Sequence, residues 1–325
     1  MLSFFRTNQL FLNVLLLLYL VVMRVSSFIH PIEVAPLEHG ILTKWIYTIF
    51  PPLSTSAFVL GFLLIFVQGT LINVTMARFR VAAELSLLPG LFYCFFTSMM
   101  PDFLPLSSII LGNTFVILAL SNLYDTYKSN TVAGRIFDTG LWLGVASLFH
   151  FSFIFLVFWG IIGLGILRGI RLKEVFMFLI GLSVPIFLEF VYCFWTNNLP
   201  SFSEHFTKNI GLMSVFRYNA TDIYLKLGLT VLFLVMTLMA SNQFMSRRNM
   251  MAQKYISILY WLMLICGITS LIQPGVNLSQ LLIISIPIGI LLSMTFQRIT
   301  PAIAEALHLL LVMIALILQF FYLLS

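Results

Sequence analysis

Long apolar runs separated by short polar segments fill almost the whole chain. Nine of these runs are close to the roughly 20 apolar residues that a helix needs to cross a hydrocarbon core about 30 Å thick. They are continuous rather than alternating, which favours helices over the strands of a β-barrel. The predicted spans are residues 8–28, 54–76, 82–99, 106–124, 174–195, 223–240, 256–272, 278–296 and 303–324.

A tenth apolar run, residues 137–169, is too long for one span. A single helix of that length would extend about 50 Å at 1.5 Å per residue, which requires a steep tilt. His150 interrupts the middle of the run. We therefore predict two short helices, 137–149 and 152–168, joined by a turn at His150.

The distribution of Lys and Arg decides between one and two crossings in this run. With two crossings the chain has eleven spans, and 12 of its 17 Lys and Arg residues fall on one side against 5 on the other. With one crossing the division becomes 8 against 9. Because cytoplasmic loops carry the excess of positive charge, the two-crossing topology is favoured. It predicts a cytoplasmic N-terminus, a periplasmic C-terminus and His150 at the outer face.

Composition agrees with a membrane location. Hydrophobic residues make up 61% of the chain, charged residues only 9%, and the mean hydropathy is +1.06. We therefore predict an all-α, multi-pass bundle in a bacterial cytoplasmic (inner) membrane, with membrane lipids around it. The net charge of +6 lies in loops that face anionic lipid, so nucleic acid is not an expected partner.

Two long outer loops, residues 29–53 and 196–222, carry apolar residues at helical spacing beside charged ones. This pattern predicts amphipathic helices that lie on the outer face of the bilayer. The alternative is irregular structure packed on the bundle. We divide the chain into a module over residues 1–195, the loop 196–222 and C-terminal helices over 223–325, which together form one continuous membrane domain.

Ionisable residues inside spans are costly in lipid and are therefore candidates for function. Glu189, in VPIFLEFVYCFW, is the clearest, as a catalytic carboxylate or a structural acid. Glu305 and His308 share a helix face, but one such pair does not make a metal site. On the outer side, Asp102 and His150 are candidate substrate contacts. No cofactor motif occurs, and a divalent metal is the one cofactor that stays open.

Several segments resemble the membrane module of the GT-C glycosyltransferases. They are a first span that ends in Arg24, an outer loop with acidic residues, and the segments PDFLPLSSIILGNTFVILAL and TGLWLGVASLFHFSFIFLV. The resemblance implies a sugar donor linked to polyprenyl phosphate and an acid of the outer loop as catalytic base. Carried over to this sequence, the base is Glu33 or Glu38, and the phosphate contact is Arg24 or Arg217.

A second resemblance covers more of the chain. FDTGLWLGVASLFHFSFIF and RLKEVFMFLIGLSVPIFLEFVYCFWTNNL are similar to an uncharacterised family of bacterial inner-membrane proteins. We therefore consider three hypotheses for the function: a GT-C-like transferase, a scaffold or accessory subunit with a membrane-protein partner, and a small-solute transporter. The missing inverted repeat weakens the transporter. The sequence alone does not decide whether the protein is an enzyme.

Overall fold

The computed structural model describes residues 2–6, 13–29, 40–82, 84–129, 131–207, 211, 221–239, 249–272 and 277–324. The regular structure of these residues is helical, as the apolar runs predict. In chain order the α-helices are α1 (Leu2–Phe5), α2 (Asn13–Met23), α3 (Val25–Ile29), α4 (Ile41–Ile49), α5 (Thr55–Arg78), α6 (Leu88–Phe96), α7 (Ser108–Asp125), α8 (Ala133–Phe149), α9 (Leu156–Arg168), α10 (Leu172–Trp195), α11 (Leu199–Thr207), α12 (Thr221–Met239), α13 (Met250–Ser270), α14 (Ser285–Arg298) and α15 (Pro301–Leu324).

Short 3₁₀ helices precede several of the long helices, at Pro101–Phe103, Phe151–Phe155 and Leu278–Ile284. Within the described part of the chain, seven helical segments are long and apolar enough to cross a membrane. They are compatible with a helical membrane protein that crosses the bilayer several times. These segments are Thr55–Arg78, Ser108–Asp125, Phe151–Arg168, Leu172–Trp195, Met250–Ser270, Leu278–Arg298 and Pro301–Phe320.

The break predicted at His150 is confirmed. Helix α8 ends at Phe149, and His150 adopts an extended conformation with φ −146° and ψ 125°. At the far end of α9, the Arg168 guanidinium donates to the carbonyls of Thr126 and Ser129, at 3.0 and 3.1 Å. Because these carbonyls immediately precede α8, the chain reverses direction at His150 and returns to the level at which α8 began.

One end of the bundle, which we call the basic end, collects most of the cations. Arg78 pairs with Asp125, Lys254 donates to the Leu167 carbonyl, and Arg6 donates to the Phe296 carbonyl. The opposite end, named here the His150 end, has only Arg24, Lys44 and Lys226 among the described Lys and Arg residues. The described cations of the basic end are Arg6, Arg78, Arg80, Lys128, Arg135, Arg168, Arg171, Lys173, Lys254 and Arg298.

The predicted span 82–99 differs from the structure. Its helix, α6, covers only nine residues, or about 14 Å at 1.5 Å per residue. The flanking backbone is irregular, yet Leu87 lies beside Phe5 near the basic end and Leu104 lies beside Arg24 near the other. All nine residues of α6 are buried, so other helices rather than lipid surround this passage.

Glycines allow α8 and α10 to pack closely against each other. A Cβ added at Gly140 would overlap the carbonyl oxygen of Phe178, and one added at Gly181 would overlap that of Phe137. Small residues at such a crossing let two backbones approach closely in a membrane. The pair α8 and α10 therefore forms a fixed wall, against which the candidate site is built.

Candidate functional site

A cleft with two adjoining lobes lies at the His150 end, between α4, α8, α10 and α11. The larger lobe, of about 360 Å³, is apolar and runs along α8 and α10. The smaller lobe, of about 200 Å³, is polar and is lined by residues that include Lys44, Asn198, Ser201 and His205. Four residues line both lobes and mark the boundary between them: Ile41, Trp45, Glu189 and Tyr192.

The short helices α4 and α11 cover the cleft because they bind the free carbonyls at the end of α8. Gly40 N–H and the Thr43 hydroxyl both donate to the Phe149 carbonyl at 3.0 Å. His205 Nε2 donates to the Ser147 carbonyl at 3.1 Å. The last carbonyls of a helix have no partner within it, so these donors replace the missing turn. A Cβ at Gly40 would overlap the Leu148 carbonyl, which requires glycine there.

Glu189 lies on α10, one turn after Pro185, where both lobes meet. The residue is only 4% exposed, and its Oε2 has no hydrogen-bond partner among the residues that the structure describes. A buried polar group without a partner costs about 1–3 kcal/mol, and a charged group costs more. The protein tolerates this cost at a cleft, which is typical of a group that receives a ligand or a proton.

Lys44 supplies the positive charge of the polar lobe. Its ammonium group forms no ion pair within 4.0 Å with any carboxylate of the described residues, Glu189 included. Trp45 and Tyr192, with ring centroids 6.0 Å apart, line both lobes beside these two groups. The Lys44 ammonium and the Glu189 carboxyl group therefore line one small cavity without a direct ion pair between them.

His205 adds an imidazole ring to the wall of the polar lobe. Burial lowers the pKa of its imidazole from the ordinary 6.5 to about 4; the hydrogen bond to Ser147 raises that pKa and the charge of Lys44 lowers it. The side chain is 7% exposed. Near neutral pH the ring is therefore uncharged, with its Nε2 proton held on the α8 carbonyl.

We expect the apparent unfolding temperature to fall as the pH is lowered from about 7.5 to about 5. The folded pKa of His205 lies below its unfolded value, so the unfolded chain binds more protons between about pH 4 and 6.5. The stabilisation is complete above pH 6.5 and is lost below it. Thermal unfolding of the wild type and of His205→Gln, which keeps a donor but does not titrate, measures the effect. An equal pH dependence in both proteins would contradict it.

Arg24 lies outside the cleft and is 1% exposed. Its guanidinium donates to the carbonyls of Phe103, Leu104 and Thr97, at 2.9, 3.0 and 3.2 Å, and to the Ser98 hydroxyl at 3.1 Å. These bonds engage four of its five N–H donors. The predicted phosphate contact at Arg24 stays a prediction, and its donors bind backbone in this structure.

Asp102 and His150 also lie at the His150 end of the bundle, at two different positions. Asp102 Oδ2 lies 2.8 Å from the Lys226 ammonium, which is almost fully buried. His150 is 3% exposed, and its Nε2 lies 2.8 Å from Gln280 Oε1 and 3.2 Å from the Ser152 hydroxyl. Neither residue lines the cleft. The structure thus brings only Glu189, among the described candidates, into the cavity.

Three predicted residues, Glu33, Glu38 and Arg217, lie outside the described residues. His308, the partner proposed for Glu305, is fully buried and stacks on Tyr19 with ring centroids 5.7 Å apart. In the described ranges, no three His, Cys, Asp or Glu side chains converge in a way that could hold a metal ion.

Lys44 and His205 complete the polar lobe, although sequence reasoning placed them only in outer loops. The sequence indicates part of this role, because Lys44 and His205 each lie on a predicted amphipathic segment. Helices α4 and α11 form within those two loops. What sequence could not supply is the docking of both helices on the end of α8. No family model, curated protein or solved structure matches this chain.

Proposed function

We propose that the protein is a multi-pass transferase of the bacterial inner membrane that takes a sugar from a polyprenyl-phosphate-linked donor, as GT-C glycosyltransferases do. The cleft is the observation that carries this proposal. An apolar lobe of about 360 Å³ adjoins a polar lobe with Lys44 and Glu189, whose Oε2 bonds no other described residue. This division suits a lipid-linked substrate, whose hydrocarbon and polar parts need different surroundings.

The distribution of charge supports an outward-facing cleft. Ten of the thirteen described Lys and Arg residues lie at the basic end, so the positive-inside rule assigns that end to the cytoplasm. The His150 end then faces the periplasm. If each passage of the chain between the two ends is a membrane crossing, the protein has eleven spans and a periplasmic C-terminus.

The proposed step needs one base and one cation. Glu189 accepts the proton of the acceptor hydroxyl while that oxygen attacks the anomeric carbon of the donor. The bond between this carbon and the phosphate oxygen breaks, and the electron pair leaves with polyprenyl phosphate. Lys44 lies in the same lobe and stabilises the phosphate that departs.

Purification of the full-length protein from its native membrane tests the proposal. We expect mass spectrometry of the extracted lipids to find polyprenyl phosphate or its sugar-linked form in the preparation. Incubation with radiolabelled polyprenyl-phosphate-linked sugars from the same membranes should release polyprenyl phosphate. A stoichiometric protein partner, with neither bound substrate lipid nor release, would instead favour the scaffold function.

A further inference from the structure

We propose that the cleft also binds a phospholipid with a primary ammonium and a phosphate, that is, phosphatidylethanolamine. The ammonium would lie at the Glu189 carboxyl group, the phosphate at Lys44 and one acyl chain in the apolar lobe. The binding itself does not require the protein to be a transferase. If the protein is one, its lipid-linked substrate must displace this resting lipid.

The first argument is that the Glu189 carboxyl group and the Lys44 ammonium form no direct bond to each other or to another charged group of the described residues. Glu189 and Lys44 line the same 200 Å³ lobe, and no hydrogen bond or ion pair joins them. A buried carboxylate without a partner is compensated best by a cation that also donates hydrogen bonds. An ammonium does both, since it carries three N–H donors on one charge.

The second argument is the exclusion of other headgroups. An anionic lipid such as phosphatidylglycerol can satisfy Lys44 but leaves the Glu189 carboxylate without a counter-charge. Phosphatidylcholine carries a quaternary ammonium, which has no N–H group to donate to the Glu189 carboxyl group. Only a dipolar headgroup with a primary ammonium satisfies both residues at once.

The third argument is the depth of the site. Trp45 is 58% exposed and lies edge-on to Tyr192, and both residues stand at the boundary of the two lobes. Such rings favour the headgroup level of a bilayer, where an ammonium can also interact with an aromatic face. The apolar lobe extends away from this level along α8 and α10 and is lined by Leu141, Val145, Leu148, Val184 and Leu188.

Native mass spectrometry of the full-length protein tests this binding. The protein, purified in detergent, is equilibrated with an equimolar mixture of dioleoyl phosphatidylethanolamine, phosphatidylglycerol and phosphatidylcholine. We expect phosphatidylethanolamine to be retained several-fold over the other two. Equal retention of the three lipids, or a preference for phosphatidylglycerol or phosphatidylcholine, would overturn the proposal without any bearing on sugar transfer.

Two variants and a control assign the preference to the cleft. Glu189→Gln should abolish the preference over phosphatidylglycerol, and Lys44→Gln should lower the retention of all three lipids. Glu204→Gln, at an exposed position of α11 that does not line the cleft, should retain the wild-type pattern. A preference that survives in Glu189→Gln would place the lipid elsewhere on the surface and overturn the site.

Discussion

Replacement of Glu189 with Gln is expected to lower the rate of the proposed sugar transfer by roughly 100- to 10,000-fold. A general base that removes a proton in the transition state contributes an effect of this size, and an amide cannot accept that proton. Lys44 and the apolar lobe are unchanged in this variant, so the donor should still bind. The loss should therefore appear mainly in kcat rather than in KM.

The measurement is the release of radiolabelled polyprenyl phosphate by the purified full-length protein, at several donor concentrations. A folding defect does not explain the expected loss, because Gln has nearly the same shape and replaces a buried carboxylate whose Oε2 has no partner within the described part of the chain. The apparent unfolding temperature should stay at the wild-type value or rise. Glu204→Gln, an exposed neighbour on α11, serves as the matched control and should transfer normally. Full activity in Glu189→Gln would return the role of base to Glu33 or Glu38.

The architecture was predictable where lipid dictates the pattern. Apolar runs long enough to cross a bilayer form helices, because a backbone exposed to lipid must satisfy its own hydrogen bonds. The distribution of Lys and Arg along the chain predicted the reversal at His150. The predicted span over residues 82–99 does not follow this rule. It is enclosed by other helices, so its backbone can find partners outside its own helix, and apolar content alone does not reveal that.

Of the residues that form the site, the sequence predicted only Glu189, whose carboxyl group is costly to place within a span. Glu189 stands out from sequence because a carboxylate within a span is rare. Lys44 and His205 lie 145 and 16 residues from it, on loops where charges are ordinary. Their role depends on the docking of α4 and α11 on the α8 carbonyls, which is a tertiary event. Arg24 was a candidate because of the GT-C resemblance and His150 because of its predicted place on the outer side, and in the structure their polar atoms are engaged by backbone or neighbouring side chains.

Replacement of Arg24 with Leu is expected to destabilise the protein by about 3–5 kcal/mol, or on the order of 10 °C in apparent unfolding temperature. The segment that follows α6 contains only a short 3₁₀ helix, Pro101–Phe103, and the Arg24 guanidinium donates to the carbonyls of Thr97, Phe103 and Leu104 in it. Leucine fills the volume but leaves these buried carbonyls without donors. Each hydrogen bond of a charged group is worth about 1.5–3 kcal/mol, and the losses are not simply additive.

The variant Arg24→Lys separates the contribution of the planar guanidinium N–H donors from that of the positive charge. An ammonium keeps the charge but cannot reach carbonyls spread around a planar guanidinium, so we expect this variant to be nearly as unstable as Arg24→Leu. Arg78→Leu at the basic end is the control, because its side chain is 53% exposed beside Asp125 and such surface pairs contribute about 1 kcal/mol or less. Thermal unfolding and the monodisperse fraction after size exclusion measure all three. If Arg24→Leu unfolds within a few degrees of the wild type, water rather than arginine satisfies these carbonyls, and Arg24 becomes available again as a phosphate contact.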